Sequence, residues 1–170
     1  MANMCSNYLY ITGGEEENQK AFIECFKKMK QQEDIDGLYQ FPAEIEETDK
    51  NTHSLSSFDF NSDDESKYVT FLSRWSQPYE MLIDLGKHFQ VSFKAEYEER
   101  ADYYGALFYN HTTNMHINIH LNDEDLEAYT YDDDKDEYFF RNEAYKSDSE
   151  ILDILLTEKI EKNKDLLNQK

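Results

Sequence analysis

The chain has 170 residues, with 37 acids against 17 bases and a formal charge of -20. A 39% hydrophobic and 15% aromatic content is enough to build a core, and five Gly with two Pro exclude a long flexible linker. Such a charge repels phosphate, which argues against DNA, RNA or an anionic membrane as direct partner and leaves solubility or a basic protein partner.

Residues 4–12 alternate, with Cys5, Leu9 and Ile11 on one face and Tyr8 and Tyr10 on the other, which predicts a first strand. Thr12-Gly13-Gly14-Glu15 has capping-box spacing. The helix expected after it carries Phe22, Cys25, Phe26 and Met29 on one stripe and ends before a turn at 33–37. Pro42 and the acidic run 44–49 suggest a loop, 54–60 a short strand, and 61–66 a polar turn. The β-formers at 67–75 predict a strand.

Ser76 with Pro78 reads as a capped helix start, followed by an apolar stripe of Met81, Leu82, Leu85 and Phe89, with Gly86 near the end. Strands follow at 91–97, 103–109 and 115–121, the first with Val91, Phe93, Ala95 and Tyr97 on one face. Residues 129–131 and 138–140 form a predicted hairpin across an acidic turn. Ser147-Asp-Ser-Glu150 is a second capping box. It opens a helix bearing Ile151, Leu152, Ile154, Leu155, Leu156 and Ile160, with fraying expected from Glu161 onward. The fold class is therefore α+β: a mostly antiparallel sheet with two helices on one face. Residues 1–121 form its body, and 122–170 add an acidic hairpin and a last helix to the same domain.

Particular residues carry a likeness. The opening from Met1 to Gly13, with Cys5-Ser6-Asn7-Tyr8-Leu9-Tyr10, resembles that of the YubB-like ferredoxin-like family, small proteins of plasmids, phages and other bacterial mobile elements. Trp75-Ser76-Gln77-Pro78 is similar to that family's Trp-Ser-x-Pro signature, and Tyr97-Glu98-Glu99 before Gly105 to its next strand and turn. The likeness covers residues 1–120 and leaves the acidic hairpin outside. Met4 stands where members carry Trp, and only Phe58-Asp59 answers to the family's Trp-Gly-x-Lys-Trp-Asp segment. The resemblance implies a ferredoxin-like sheet and a mobile-element origin, and it brings no catalytic residue.

Most chemical motifs have a plainer reading. His116 and His120 alternate with Ile117 and Ile119, so they lie about 13 Å apart on a strand, too far to share an ion. Asp132, Asp134, Asp136 and Glu143 match positions one, three, five and twelve of a calcium loop, but Glu137 occupies the sixth, where a sharp turn needs Gly. No spacing marks a nucleophile with its base or a phosphate-cradling glycine loop, so no enzyme, cofactor or metal is expected. Cys5 and Cys25 match no metal or redox motif and read as two buried thiols. No secretory signal and no apolar run of about 20 residues is seen, so a cytoplasmic location is expected.

The densest acid lies at 122–137, where nine carboxylates accompany one Lys. The partner-binding candidates are Asp123, Glu124, Asp125, Glu127, Asp132, Asp133, Asp134, Asp136 and Glu137, with Trp75, the single Trp, as an anchor. Packing in the core or at an edge is the plain alternative for Trp75. Carboxylates about 6–7 Å apart on a strand, or about 5–6 Å apart at i,i+4 on a helix, imitate a row of phosphates. The expected function is thus an acidic module that binds a basic host protein, as a nucleic-acid-mimicking inhibitor of restriction, CRISPR or a similar system. The alternatives are a mobile-element accessory protein whose charge serves solubility, and a small enzyme.

Overall fold

A computed structural model describes residues 3–31, 55–60, 67–99 and 103–167. The turns read at 33–37 and 61–66 and the loop around Pro42 lie outside those residues. In chain order the elements begin β1 (Met4–Gly13), α1 (Glu16–Gln31), β2 (Leu55–Phe60), β3 (Tyr68–Arg74), α2 (Tyr79–Phe89) and β4 (Ser92–Glu99). They continue with β5 (Tyr103–Asn110), β6 (Met115–His120), α3 (Asp123–Leu126), β7 (Thr130–Asp132), β8 (Glu137–Phe140) and β9 (Glu143–Tyr145). The last two are α4 (Asp148–Lys162) and α5 (Lys164–Leu167).

The first six strands form one sheet in the order β2-β3-β1-β4-β5-β6, antiparallel at every pairing. β1 lies between β3 and β4, with α1 and α2 in the connections, which is the split β-α-β arrangement. The β5–β6 meander widens the sheet beyond β4.

Alternation along each strand decides what lies on either face. On one face Leu9, Val69, Phe71, Phe93, Ala95, Leu107 and Tyr109 meet Phe22, Phe26 and Met29 of α1 and Leu82 and Leu85 of α2. Each fully buried large apolar side chain contributes roughly 1.5–3 kcal/mol, so this cluster dominates the stability. Asn7 is buried there as well. Its Nδ2 donates to the Cys5 carbonyl at 3.0 Å and to Ser73 Oγ at 2.9 Å, tying β1 to β3.

The opposite face is covered over β5 and β6, where Ala106 and Ile119 pack with Ile151, Leu155 and Leu156 of α4 and Phe140 of β8. β7, β8 and β9 make a small antiparallel sheet beside it. Further along that face, Tyr8, Thr70, Leu72, Lys94, Glu96 and Glu98 are only half-buried and Tyr10 is exposed.

Several local readings need correction. Thr12 does not cap α1: it belongs to β1, and Gly14, at φ +113, makes the turn and accepts a hydrogen bond from Gln19 Nε2. Ser76 does not cap α2. The cap position falls to Pro78, which makes no side-chain cap bond, and Ser76 instead gives its carbonyl to Ser73 Oγ at 2.7 Å. Ser147 does cap α4, but its Oγ takes the Ser149 N–H at 3.2 Å, one residue short of the capping-box position. The Lys-rich end does not fray at Glu161, because α5 adds a turn whose Leu167 packs on the second cluster. The short elements α3 and β9 have too few residues to show a period, and the sequence did not announce them.

Candidate partner-binding surface

The nine acids of the 122–137 segment divide into two groups. Asp125 closes a capping box with Asn122 at the start of α3 and also pairs with Lys159 of α4. Burial raises its pKa, but the Lys159 bond and the Asn122 N–H outweigh that and hold it below the ordinary range. Asp132 takes the backbone N–H groups of Asp134 at 3.1 Å and Lys135 at 3.3 Å, closing the β7–β8 turn. Its bond with the Lys135 ammonium is the main cause of its lowered pKa. Glu137 pairs with Lys146 at 2.7 Å across the small sheet.

The second group faces solvent. Asp123, Glu124, Glu127, Asp133, Asp134 and Asp136 are exposed, and of these Asp136 accepts the Tyr131 hydroxyl at 2.6 Å. Trp75 sits at the end of β3 with φ 70 and is 60% exposed, beside exposed Met4, whose strand position is paired with Arg74. A positive φ is an outlier for a bulky side chain, and here it leaves the indole in water instead of in the core or packed at an edge.

A second feature was not singled out by the sequence. Where α4 stops covering the sheet, a groove of about 280 Å3 opens, lined by Tyr8, Tyr10, Tyr68 and Tyr104 with Glu96, Glu98 and Asp153. Strand register builds it: Tyr8 lies opposite Glu96 and Tyr10 opposite both Lys94 and Tyr68. The Tyr10 and Tyr68 rings are 4.7 Å apart, and Lys94 Nζ bonds Glu96 at 2.6 Å. Tyr104 donates its hydroxyl to Asp153 of α4. Burial first, then the Glu96 charge, pushes Tyr10 up to about 12. Burial and the Asp153 bond likewise raise Tyr104, so these phenols are neutral at physiological pH.

The remaining motifs stay apart. His116 and His120 are exposed on β6, and His116 meets Tyr79 edge-on at 5.4 Å. Asp132 and Asp136 sit in a β-hairpin, without the flanking helices of a calcium loop. Among the described residues no three His, Cys, Asp or Glu side chains gather to hold a metal ion. His111 Nδ1 contacts Ser92 Oγ at 2.8 Å, but that oxygen also takes the His111 backbone N–H at 3.0 Å and the other ring nitrogen faces Thr112. A loop-anchoring contact of this kind lacks the third group that orients a catalytic base. Cys5 and Cys25 are buried thiols, and no described helix is long and apolar enough to cross a membrane.

A β-α-β-β-α-β sheet with β1 between β3 and β4 defines a ferredoxin-like α+β protein, here with an extra meander and an acidic appendage. A family model described as the ferredoxin-like domain in Api92-like protein matches residues 57–141, half of the chain, and the chain belongs to that family. The match runs from β2 through β8, so it takes in the acidic turn that the sequence resemblance left outside. No curated protein and no solved structure matches the chain.

Proposed function

We propose that this protein is an acidic binding module for a basic protein, acting as a nucleic-acid-mimicking inhibitor of a host defence or nucleic-acid-handling system in the cytoplasm. The observation that carries the reading is the division of the 122–137 acids. Those needed for the fold are paired, whereas Asp123, Glu124, Glu127, Asp133 and Asp134 stand in solvent and make no hydrogen bond or ion pair through their side chains among the described residues. Exposed, uncompensated carboxylates project a field that attracts a basic surface and repels phosphate. A mobile-element origin, implied by the resemblance at β1 and Trp75-Ser76-Gln77-Pro78, supplies a use for such mimicry.

The test is affinity capture from host lysate with the natural protein and with Asp123, Glu124, Asp133 and Asp134 changed to Lys. Asp125 and Asp132 are left in place because they hold the fold. A nucleic-acid-binding protein retained by the first and lost by the second, with salt-sensitive association, supports the reading. Equal retention would remove the segment from it. The exposed Trp75 favours a second reading, an accessory binding protein whose charge serves solubility; binding would then follow Trp75→Ala and ignore the acids.

A further inference from the structure

The groove beside α4 has a chemistry that charge alone does not provide. Aromatic and acidic side chains share its lining: Tyr8, Tyr10, Tyr68 and Tyr104 stand with Glu96, Glu98 and Asp153. At about 280 Å3 it falls below the roughly 300–1,000 Å3 usual for a drug-sized ligand, so it suits a side chain better than a whole small molecule.

Lys94, which neighbours the groove without lining it, shows which kind of side chain such surroundings accept. Lys94 bonds Glu96 at 2.6 Å and holds its ammonium 6.0 Å from the ring centres of both Tyr10 and Phe108. This is a cation over aromatic faces, anchored by a carboxylate. Lys94 offsets Glu96 and leaves Glu98 and Asp153 facing the same groove. An anion would meet uncompensated carboxylates there, and an apolar group would strand them.

We infer that this groove docks an arginine side chain presented by an extended basic segment of the partner protein. Arginine is favoured over lysine because its planar guanidinium stacks on tyrosine and forks to two carboxylates at once. The inference rests on the reading of the chain as a module for a basic protein. It assigns attraction to the 123–137 acids and retention to the groove. Exposed rim charges govern association rate, while a half-buried contact governs dissociation.

The test uses the full chain labelled for NMR and an acetylated, amidated Arg-Ser-Arg-Ser-Arg peptide, with its Lys counterpart and spermidine as comparisons. Shift changes are expected at Tyr8, Tyr10, Tyr68, Glu96 and Glu98, with the Arg peptide binding tighter than either comparison. Glu98→Gln, which removes the half-buried carboxylate, should weaken it about tenfold through faster dissociation. Asp133→Asn with Asp134→Asn should mainly slow association. Shifts confined to 123–137 would overturn the groove while leaving the acidic module standing. Spermidine matching the Arg peptide in the groove would overturn docking of a protein side chain. Absence of peptide binding at either surface would overturn the groove and the acidic-module reading together.

Discussion

Tyr104 of β5 donates its hydroxyl to Asp153 of α4, a bond between sheet and helix at the wall of the groove. The ring of Tyr104 also packs on the second core cluster, so its anchoring is mostly apolar. Tyr104→Phe should therefore keep the fold and cost about 1 kcal/mol or less, since Asp153 is exposed and water replaces the lost partner. Urea unfolding measures this. A loss above about 3 kcal/mol would mean that the hydroxyl, not the ring, holds α4 in place.

Stability should fall on the alkaline side. Burial pushes the Cys5 thiol from 9.0 up to about 12, and burial with the Glu96 charge pushes Tyr10 from 10.0 up to about 12. Both groups are neutral when protonated, so the folded chain keeps protons that the unfolded chain has already released. Their contribution is complete below the unfolded value of Cys5, 9.0, and declines as pH climbs toward about 12. The urea midpoint should drop steadily over that window, and Cys5 should alkylate only after unfolding. A midpoint flat from about pH 8 to about pH 11 would contradict the burial of Cys5 and the raised Tyr10 phenol.

Two glycines mark the closest approaches in the fold. A Cβ on Gly86 would lie 2.6 Å from Cδ1 of Tyr109 and 2.9 Å from Cε1 of Phe93, both buried rings. Alanine gains about 1 kcal/mol of helix propensity, but overpacking at such distances costs about 1–3 kcal/mol, so Gly86→Ala should destabilise. Gly105→Ala should be worse. Its Cβ would meet the Ile119 carbonyl at 2.6 Å, which cannot turn aside, and would displace the Tyr97 hydroxyl from Asn118. Thermal unfolding of the two variants would rank them, and a more stable Gly86→Ala protein would show that α2 has room to lift.

Alternation at 4–12, the Phe22-Cys25-Phe26-Met29 stripe and the β-α-β-β-α-β order were readable without coordinates, because each is local and set by backbone period. The helix caps were read less well. Thr12 and Ser76 have the right chemistry, yet extension of β1 through Gly13 and the bond from Ser73 Oγ to the Ser76 carbonyl use the backbone differently. The acidic segment was visible as charge, but only its folded form separates Asp125, Asp132 and Glu137, which hold structure, from Asp133 and Asp134, which do not.

The sequence by itself determined a charge of -20, an amphipathic α+β pattern and the residues that face inward on most strands. Tertiary structure alone decided that α4 covers β5 and β6 and stops there, leaving Tyr8, Tyr10, Tyr68, Glu96, Glu98 and Asp153 around one groove. Those residues come from three strands and a helix far apart in the chain. Their meeting depends on pairing register and helix placement, which are set by contacts between distant segments and leave no periodic trace in any one of them.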